Sequence, residues 1–290
     1  MVKTSTDGGL SWGPTVRLTQ SNQTHFYSDG TILVDPATQR VWVMYSLCIV
    51  ATGYRDCRDR WAASDDHGVS WTQLPSLDRY SSSGVGGVGS GIVLQRGSHK
   101  GRLLFTKAHA MTSDDHGATW QSGPPIAGNE AQIAEMRDGT LVAAARSGYS
   151  PRLFFSQDGG SSWSAGYQLD GTNGHANITT DNCALSFIST SNGSVVLLSH
   201  PNRPDIHQMK PQPIGRQNVT VTAGRYNPAT GQPEDWADYI TVYTGPSAYT
   251  SLAQLSGRTC GVLYERSPTG TLPVHFTSIH LAAFPCQPAA

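Results

Sequence analysis

Short runs of alternating apolar and polar residues recur along this chain and predict strands rather than helices. Turn sequences rich in Gly, Pro, Asp and Ser separate the runs. Periodicity of the helical kind is nearly absent. We therefore predict an all-β protein, with early strands at residues 31–34, 41–45, 91–94, 102–105 and 152–155.

The clearest single element is a β-hairpin. Two alternating segments, 131–136 and 140–145, flank the sequence Arg-Asp-Gly at 137–139, and Asp-Gly is a strong signal for a tight turn. Glu130 then lies just before the first strand and Arg146 just after the second, so the turn brings both side chains to the same end of the sheet. Taken alone, such a pair is more often solvated than catalytic.

A repeated motif, S-x-D-x-G-x-x-W, occurs four times without a mismatch. We interpret each copy as a hairpin turn: Asp bonds nearby backbone N–H groups, Gly supplies a positive φ, and Trp folds back over the loop. Successive copies start 59, 49 and 43 residues apart, the interval expected for one four-stranded propeller blade per repeat. Four acids in a regular repeat cannot share one site, so these aspartates are expected to be structural. The copies are Ser5-Asp7-Gly9-Trp12, Ser64-Asp66-Gly68-Trp71, Ser113-Asp115-Gly117-Trp120 and Ser156-Asp158-Gly160-Trp163.

The second half of the chain continues the pattern with less regular turns. Segments 183–189 and 194–199 pair as another hairpin, and a fifth unit begins at 218–223. That unit ends in a degenerate turn at 227–231, with Trp236 in roughly the position of the box tryptophan. A last set of strands follows at 250–255, 261–264 and 275–281. Counting these units predicts one domain, residues 1–290, built as a six-bladed propeller whose first blade is incomplete.

Composition narrows the possible functions. Net charge is −1 and only 14% of residues are charged, without a run of like charge, so a nucleic-acid surface is not expected. No stretch of 18 apolar residues predicts a spanning helix. Five cysteines without C-x-x-C spacing and ten scattered histidines predict neither a metal site nor a cofactor. Cys48 and Cys57 either bridge a loop or remain buried thiols.

The repeats, together with the order of the chemistry-bearing residues, resemble the sialidase (neuraminidase) family, whose catalytic domain is a six-bladed propeller. Segment 129–135 is similar to the family segment whose first Glu is the catalytic base, which implies that role for Glu130. Arg146 matches the second arginine of a triad that binds the substrate carboxylate, and Arg216 the third. Two other arginines, Arg152 and Arg225, compete for these places and fit the motifs less well.

Further matches lie in the last third of the chain. Segment 247–252 resembles the one that carries a nucleophilic tyrosine, which implies Tyr249. Glu265 matches the residue that typically holds the first triad arginine, and Asp29 the residue that contacts the sugar near O4. Tyr264 is expected instead to be a core aromatic residue, and Glu135 to be structural.

The resemblance implies an exo-α-sialidase that removes terminal sialic acids from glycoproteins, glycolipids or oligosaccharides with retention, without a cofactor. An arginine cluster binds the sugar carboxylate bidentately. A neutral tyrosine avoids the repulsion that this carboxylate would exert on an anionic nucleophile, and Glu130 would take its proton. Transfer to another acceptor instead of water stays open.

Two family features are missing from this sequence. It contains no Arg-Ile-Pro motif, which carries the first triad arginine, and no matching acid/base aspartate shortly after it. We expect an N-terminally incomplete sequence. The alternative is an inactive or sialic-acid-binding, lectin-like propeller. The compartment stays open, with a secreted or lysosomal location favoured.

Overall fold

The structure, a computed structural model, describes residues 1–52, 56–76, 88–106, 109–126, 129–190, 192–202, 216–267 and 278–287. Within these ranges the chain forms strands and two single turns of 3₁₀ helix, Val50–Thr52 and Thr172–Gly174, so the all-β prediction is confirmed. None of the described residues belongs to a helix long and apolar enough to cross a membrane. The first strands are β1 (His25–Val34), β2 (Val41–Ile49), β3 (Cys57–Ser64), β4 (Thr72–Leu74), β5 (Gly89–Ser90), β6 (Ile92–Val93), β7 (Leu103–Thr106), β8 (His109–Ser113) and β9 (Gln121–Pro125). The later strands are β10 (Asn129–Glu135), β11 (Leu141–Arg146), β12 (Arg152–Ser156), β13 (Tyr167–Gln168), β14 (Ser186–Ser189), β15 (Val195–Pro201), β16 (Gln217–Asn227), β17 (Gln232–Gln254), β18 (Thr259–Arg266) and β19 (Ser278–Pro285).

The described strands form four sheets, with orders β4-β3-β2-β1-β5, β6-β7-β8-β9, β10-β11-β12-β13 and β14 to β19 in sequence. Apart from β5, which pairs in parallel with β1, neighbours in a sheet are neighbours in the chain. This up-and-down meander is the arrangement of a propeller blade.

By contacts the chain divides into two compact units. One comprises Met1–Glu130 with Gly159–Ser161, and the other comprises Ala131–Asp158 with Ser162–Ala290. The sheets of β1 to β5 and β6 to β9 belong to the first unit. The six-stranded sheet belongs to the second. The single domain inferred from the sequence stays a prediction.

The six-stranded sheet joins two meanders that the sequence predicted as separate units. Strand β17 pairs with β16 as far as Pro246, and from Ser247 onward it pairs with β18. Two backbone bonds make this exchange of partners continuous: Ser247 N–H donates to Arg216 O (2.9 Å) and Ser267 N–H to Pro246 O (3.2 Å). Gly245 and Pro246 therefore do not end the strand. The described residues form four sheets, and the predicted count of six blades is not confirmed.

Each unit has apolar cores of its own between and within its sheets. In the first, Trp42, Trp61, Phe105 and Trp120 pack together with ring centroids 5.1–6.5 Å apart, several of them edge to face. Two clusters fill the second unit, one around Leu153, Phe187 and Leu198 and the other around Val221, Leu252 and Val262.

The four repeats form the turns that the motif predicts. In the second, Ser64 Oγ donates to Asp66 Oδ1 (2.7 Å) and accepts the N–H of Gly68 (2.8 Å). Asp66 also accepts the N–H (2.8 Å) and hydroxyl (2.5 Å) of Ser70. A hydroxyl residue before the tryptophan therefore belongs to the motif, a feature that the sequence pattern S-x-D-x-G-x-x-W overlooks. The equivalent residues, Ser11, Thr119 and Ser162, bind Asp7, Asp115 and Asp158 in the same way.

These contacts confirm a structural role for the repeat aspartates. The hydroxyls of Ser11, Ser70 and Thr119, followed by their N–H groups, lower the pKa of the first three box carboxylates, Asp7, Asp66 and Asp115, to about 2. Trp71 closes its own turn by donating from Nε1 to Gly68 O (3.1 Å).

The degenerate turn between β16 and β17 reproduces the same features with other residues. Glu234 supplies the carboxylate of this turn and accepts from Asn227 Nδ2 and Thr230 Oγ1, both at 2.7 Å. Trp236 Nε1 donates to Pro233 O (3.1 Å), as Trp71 does to Gly68. The turn predicted from the sequence is therefore confirmed.

Four of the five cysteines form disulfides, Cys48–Cys57 and Cys260–Cys286. Cys48 and Cys57 lie directly opposite each other on β2 and β3, which resolves the alternative that the sequence left open in favour of a bridge. Cys183 is buried and takes part in neither disulfide.

Candidate active site

Arg146 is placed by the predicted hairpin. Met136 N–H donates to Thr140 O (2.8 Å), Gly139 adopts φ 91°, and Asp138 caps the turn by accepting Thr140 N–H (2.9 Å). The sequence placed Glu130 before the first strand and Arg146 after the second, and both bounds were wrong. Glu130 is the second residue of β10 and Arg146 the last of β11, because strand pairing extends beyond the alternating apolar segments.

The side chains of Arg146 and Arg216 converge on one residue, Asn182. Arg146 Nε donates to the amide oxygen Oδ1 of Asn182 (3.0 Å). Arg216 Nη2 donates to the backbone carbonyl of the same residue (3.0 Å). Two guanidinium groups, one on β11 and the other directly before β16, are thus held by a single neutral residue.

Tyr249 lies beside both guanidinium groups. Its hydroxyl is 3.5 Å from Nη1 of Arg146. The guanidinium carbon of Arg216 is 5.6 Å from the centre of the Tyr249 ring, within the range of a cation–π contact. The structure therefore brings together three of the residues that the family resemblance singled out.

The backbone around Tyr249 is held firmly. Tyr249 N–H donates to Glu265 Oε2 (3.2 Å) on the neighbouring strand β18. The next residue, Thr250, exchanges two hydrogen bonds with Ser199 of β15: its hydroxyl accepts from Ser199 Oγ (2.8 Å) and donates to Ser199 O (3.0 Å). These contacts fix the backbone position of Tyr249 within β17.

A buried polar chain links the hairpin of Arg146 to the strand of Tyr249. Gln132 on β10, fully buried, donates to Leu185 O (3.0 Å) and accepts from the hydroxyl of Ser186 (2.9 Å). Ser186 Oγ in turn accepts the N–H of Leu252 on β17 (2.8 Å). Satisfied buried polar groups specify one arrangement, because each is costly to leave unpaired.

Glu265 is a half-buried carboxylate. Burial raises its pKa, while the hydrogen bond from Tyr249 N–H and the positive charge of Arg216 oppose that rise. The contact that the structure shows is to the amide of Tyr249. A role in holding a first triad arginine stays a prediction.

Glu130 and Asp29 belong to the first unit, so their relation to Tyr249 stays a prediction. Glu130 is 5% exposed and has φ 49°, a left-handed backbone conformation that is uncommon for residues other than glycine. Asp29 lies at an irregularity of β1, with φ 55°, and accepts from the hydroxyl of Ser28 (2.9 Å). It lines a cavity of about 230 Å³ together with Tyr27 and Tyr45.

The competing residues lie elsewhere in the structure. Arg152 donates to Ala165 O (2.9 Å) across its own hairpin, and Arg225 is an exposed residue of β16. Tyr264 is 7% exposed and stacks on Tyr243 with ring centroids 5.6 Å apart, which confirms its assignment to the core. Among the described residues, no group of three His, Cys, Asp or Glu side chains could hold a metal ion.

Asn182 was missed by the sequence analysis. One of its two contacts uses a backbone carbonyl, which any residue carries. The residue types gave only a weak signal. Asp and Asn are enriched in the left-handed backbone conformation, which Asp181 and Asn182 adopt with φ 46° and 45°.

The cluster has a clear chemical capacity. Two cations beside a phenol can bind a carboxylate and stabilise negative charge on an oxygen.

The sequence matches the BNR repeat-like domain over residues 1–263. The chain belongs to this family. It is 32% identical to the anhydrosialidase of Macrobdella decora over 231 residues, which cover 70% of this chain and 29% of that protein. It is 26% identical to the sialidase of Micromonospora viridifaciens over 300 residues, which cover 90% of this chain and 44% of that protein. The chain thus spans less than half the length of these two relatives.

A solved structure shares the fold. A leech intramolecular trans-sialidase, in complex with 2,7-anhydro-Neu5Ac prepared by soaking with 3′-sialyllactose, matches with a TM-score of 0.76 at 20% identity. The match covers 97% of this chain and 62% of that one. The described sheets therefore belong to an all-β, propeller-like fold of the kind found in sialidases.

Proposed function

We propose that this protein is an exo-α-sialidase that hydrolyses terminal sialic acids of glycoproteins, glycolipids or oligosaccharides, on a six-bladed propeller. The observation that carries the proposal is the convergence of Arg146 and Arg216 on Tyr249. The family membership and the curated relatives named sialidase and anhydrosialidase support it.

The two guanidinium groups bind the carboxylate of the sugar, which fixes the anomeric carbon to which that carboxylate is attached. Guanidinium suits this task because its planar N–H donors match a carboxylate in a bidentate fashion. Asp29 contacts the sugar near O4, and Glu265 holds the Tyr249 backbone in place.

In the reaction, Glu130 takes the proton of the Tyr249 hydroxyl, and the phenolic oxygen forms a bond to the anomeric carbon as the bond to the leaving oxygen breaks. Arg146 stabilises the charge that develops on the phenolic oxygen. Water then cleaves the glycosyl-tyrosine, so two inversions give net retention. The leaving oxygen takes its proton from water as the aglycone departs, and Glu130 returns its proton to the phenolic oxygen in the second step.

A second candidate is intramolecular transfer, in which a hydroxyl of the sialic acid itself replaces water. The 32% identity to an anhydrosialidase favours testing it. The two reactions use the same carboxylate site and the same nucleophile, and they differ in what attacks the covalent intermediate.

The test is release of a fluorophore from an α-sialoside, with the sugar product identified by mass spectrometry. Because the relatives are longer, the 290-residue chain is assayed beside a chain extended through the upstream reading frame. Free sialic acid supports hydrolysis, and a product lighter by one water supports intramolecular transfer. A folded protein that binds sialic acid without turnover would establish the lectin-like alternative. A folded protein that does neither would contradict the proposed function and leave the fold intact.

A further inference from the structure

Asn182 connects the two arginines through two different atoms. Its side-chain oxygen accepts from Arg146 Nε, and its main-chain oxygen accepts from Arg216 Nη2, each at 3.0 Å. The distance between the two guanidinium groups therefore depends on the position of one residue.

The segment that carries Asn182 is anchored on both sides. Before it, Thr180 N–H donates to Tyr149 O (2.8 Å), in the loop that follows Arg146. After it, Cys183, Ala184 and Leu185 are completely buried, and Gln132 binds the carbonyl of Leu185. Asn182 is thus held in place by contacts other than those to the arginines.

The left-handed conformation of Asn182 directs its two oxygens to different partners. With φ 45°, the residue adopts a backbone geometry that disfavours most side chains and that Asn and Gly tolerate best. An amide oxygen orients a guanidinium group without neutralising it, whereas a carboxylate at the same place would compete with an incoming anion.

We propose that Asn182 is a positioning residue that sets the spacing of Arg146 and Arg216 so that together they bind one carboxylate. This inference rests on the proposed function. It assigns Asn182 no contact with the sugar.

Two substitutions separate this role from a general structural one. Asn182→Gly keeps the backbone carbonyl and tolerates the left-handed conformation, but removes the acceptor for Arg146. Asn182→Asp keeps that acceptor and adds a negative charge. The matched control is Asn173→Gly, an exposed asparagine with φ 54° in the turn Thr172–Gly174.

The readouts are steady-state kinetics and binding of sialic acid beside its methyl ester. We expect Asn182→Gly to raise KM and the Kd of the acid about tenfold, with kcat changed less and the Kd of the ester unchanged, because only the carboxylate contact is lost. For Asn182→Asp, affinity for the acid should fall as pH rises through the titration of the introduced carboxyl. Asn173→Gly should match the parent throughout, and all variants should melt within a few degrees of it.

Failure of this inference differs from failure of the proposed function. Unchanged acid affinity and KM in Asn182→Gly, in a protein that binds sialic acid, would overturn the positioning role. If the parent protein does not bind sialic acid, NMR of ¹⁵N-arginine-labelled protein tests the link directly. The Nε–H signal of Arg146 should shift in Asn182→Gly and stay near its parent position in Asn173→Gly, and an unmoved signal in Asn182→Gly would likewise overturn the role.

Discussion

The box turns and the arginine–tyrosine cluster are both groups of polar and charged side chains, and they are built in opposite ways. In the second box, the hydrogen bonds join residues two to four positions apart, within the segment from Ser64 to Trp71. In the cluster, the bonds of Asn182 span 36 and 34 residues, and the contact between Arg146 and Tyr249 spans 103.

This difference has consequences for stability and for chemistry. A box aspartate receives its donors from its own turn, so its charge is satisfied wherever the turn forms. The cluster exists only when β11, β16 and β17 are assembled, and its two cations meet at a neutral acceptor. We expect substitutions in the boxes to alter stability and substitutions in the cluster to alter binding and turnover.

The largest effect is expected for Tyr249→Phe. Removing the hydroxyl removes the proposed nucleophile, so kcat on an α-sialoside should fall at least about a thousandfold. The ring and the amide bond to Glu265 remain, so the melting temperature should stay within a few degrees of the parent. The control, Tyr264→Phe, should keep its turnover, and full activity in Tyr249→Phe would contradict the assignment.

Next in size are Arg146→Lys and Arg216→Lys. Lysine keeps the positive charge and loses the planar pair of donors, so kcat/KM should fall about 10- to 100-fold in each variant. Arg225→Lys, at an exposed position on β16, serves as the matched control. Equal kinetics for the cluster variants and this control would show that the cluster does not bind the substrate.

The boxes give a smaller effect, and it depends on pH. The folded-state pKa of Asp66 and Asp115 is about 2, below the usual aspartate value of 3.8, so their contribution to stability is present above pH 4 and is lost as pH falls through about 2. The double variant Asp66→Asn and Asp115→Asn should therefore be less stable than the parent at pH 7 and approach it near pH 2.

Urea unfolding at a series of pH values measures this difference. Asp235→Asn, at an exposed aspartate of β17, is the control and should follow the parent curve. Sialoside turnover by the double variant at pH 7, where it remains folded, should equal that of the parent. A selective loss of turnover would contradict the structural role.

The smallest effect is expected for Glu265→Gln. The amide oxygen can still accept Tyr249 N–H, so stability near pH 7 should change by less than about 1 kcal/mol. Burial raises the pKa of Glu265 in the folded protein. Relative to the variant, the parent should therefore be most stable below the pKa of Glu265 in the unfolded chain. This advantage should fall as pH rises through the pKa of Glu265 in the folded protein. A difference that grows with pH would contradict this sign.

Much of the fold could be predicted from the sequence, because it is encoded locally. The Asp-Gly turn at 138–139, the four boxes and the degenerate turn at 227–231 each place their donors and acceptors within a few residues. The continuation of β17 past Gly245 and Pro246 could not, since it depends on Arg216 and Ser267, which are distant in the chain. The merging of two predicted units into one sheet follows from that continuation.

The candidate site divides in the same way. Arg146, Arg216 and Tyr249 were found through their resemblance to family motifs, and the structure brings them together. Asn182 could not be found from residue type, because its role combines a left-handed backbone with a main-chain acceptor. The contact of Glu265 with the Tyr249 amide is likewise invisible in the sequence.

The most direct test of the central claim is to identify the residue that carries the covalent intermediate. A sialosyl fluoride with a second fluorine at C3 should form the glycosyl-enzyme readily and release it slowly. The fluorine at C3 slows both steps by destabilising their oxocarbenium-like transition states, whereas the fluoride leaving group speeds only the first. Peptide mass spectrometry of the treated protein should place the added sugar on Tyr249. A sugar attached to another residue, or none in a preparation that turns over α-sialosides, would contradict the account.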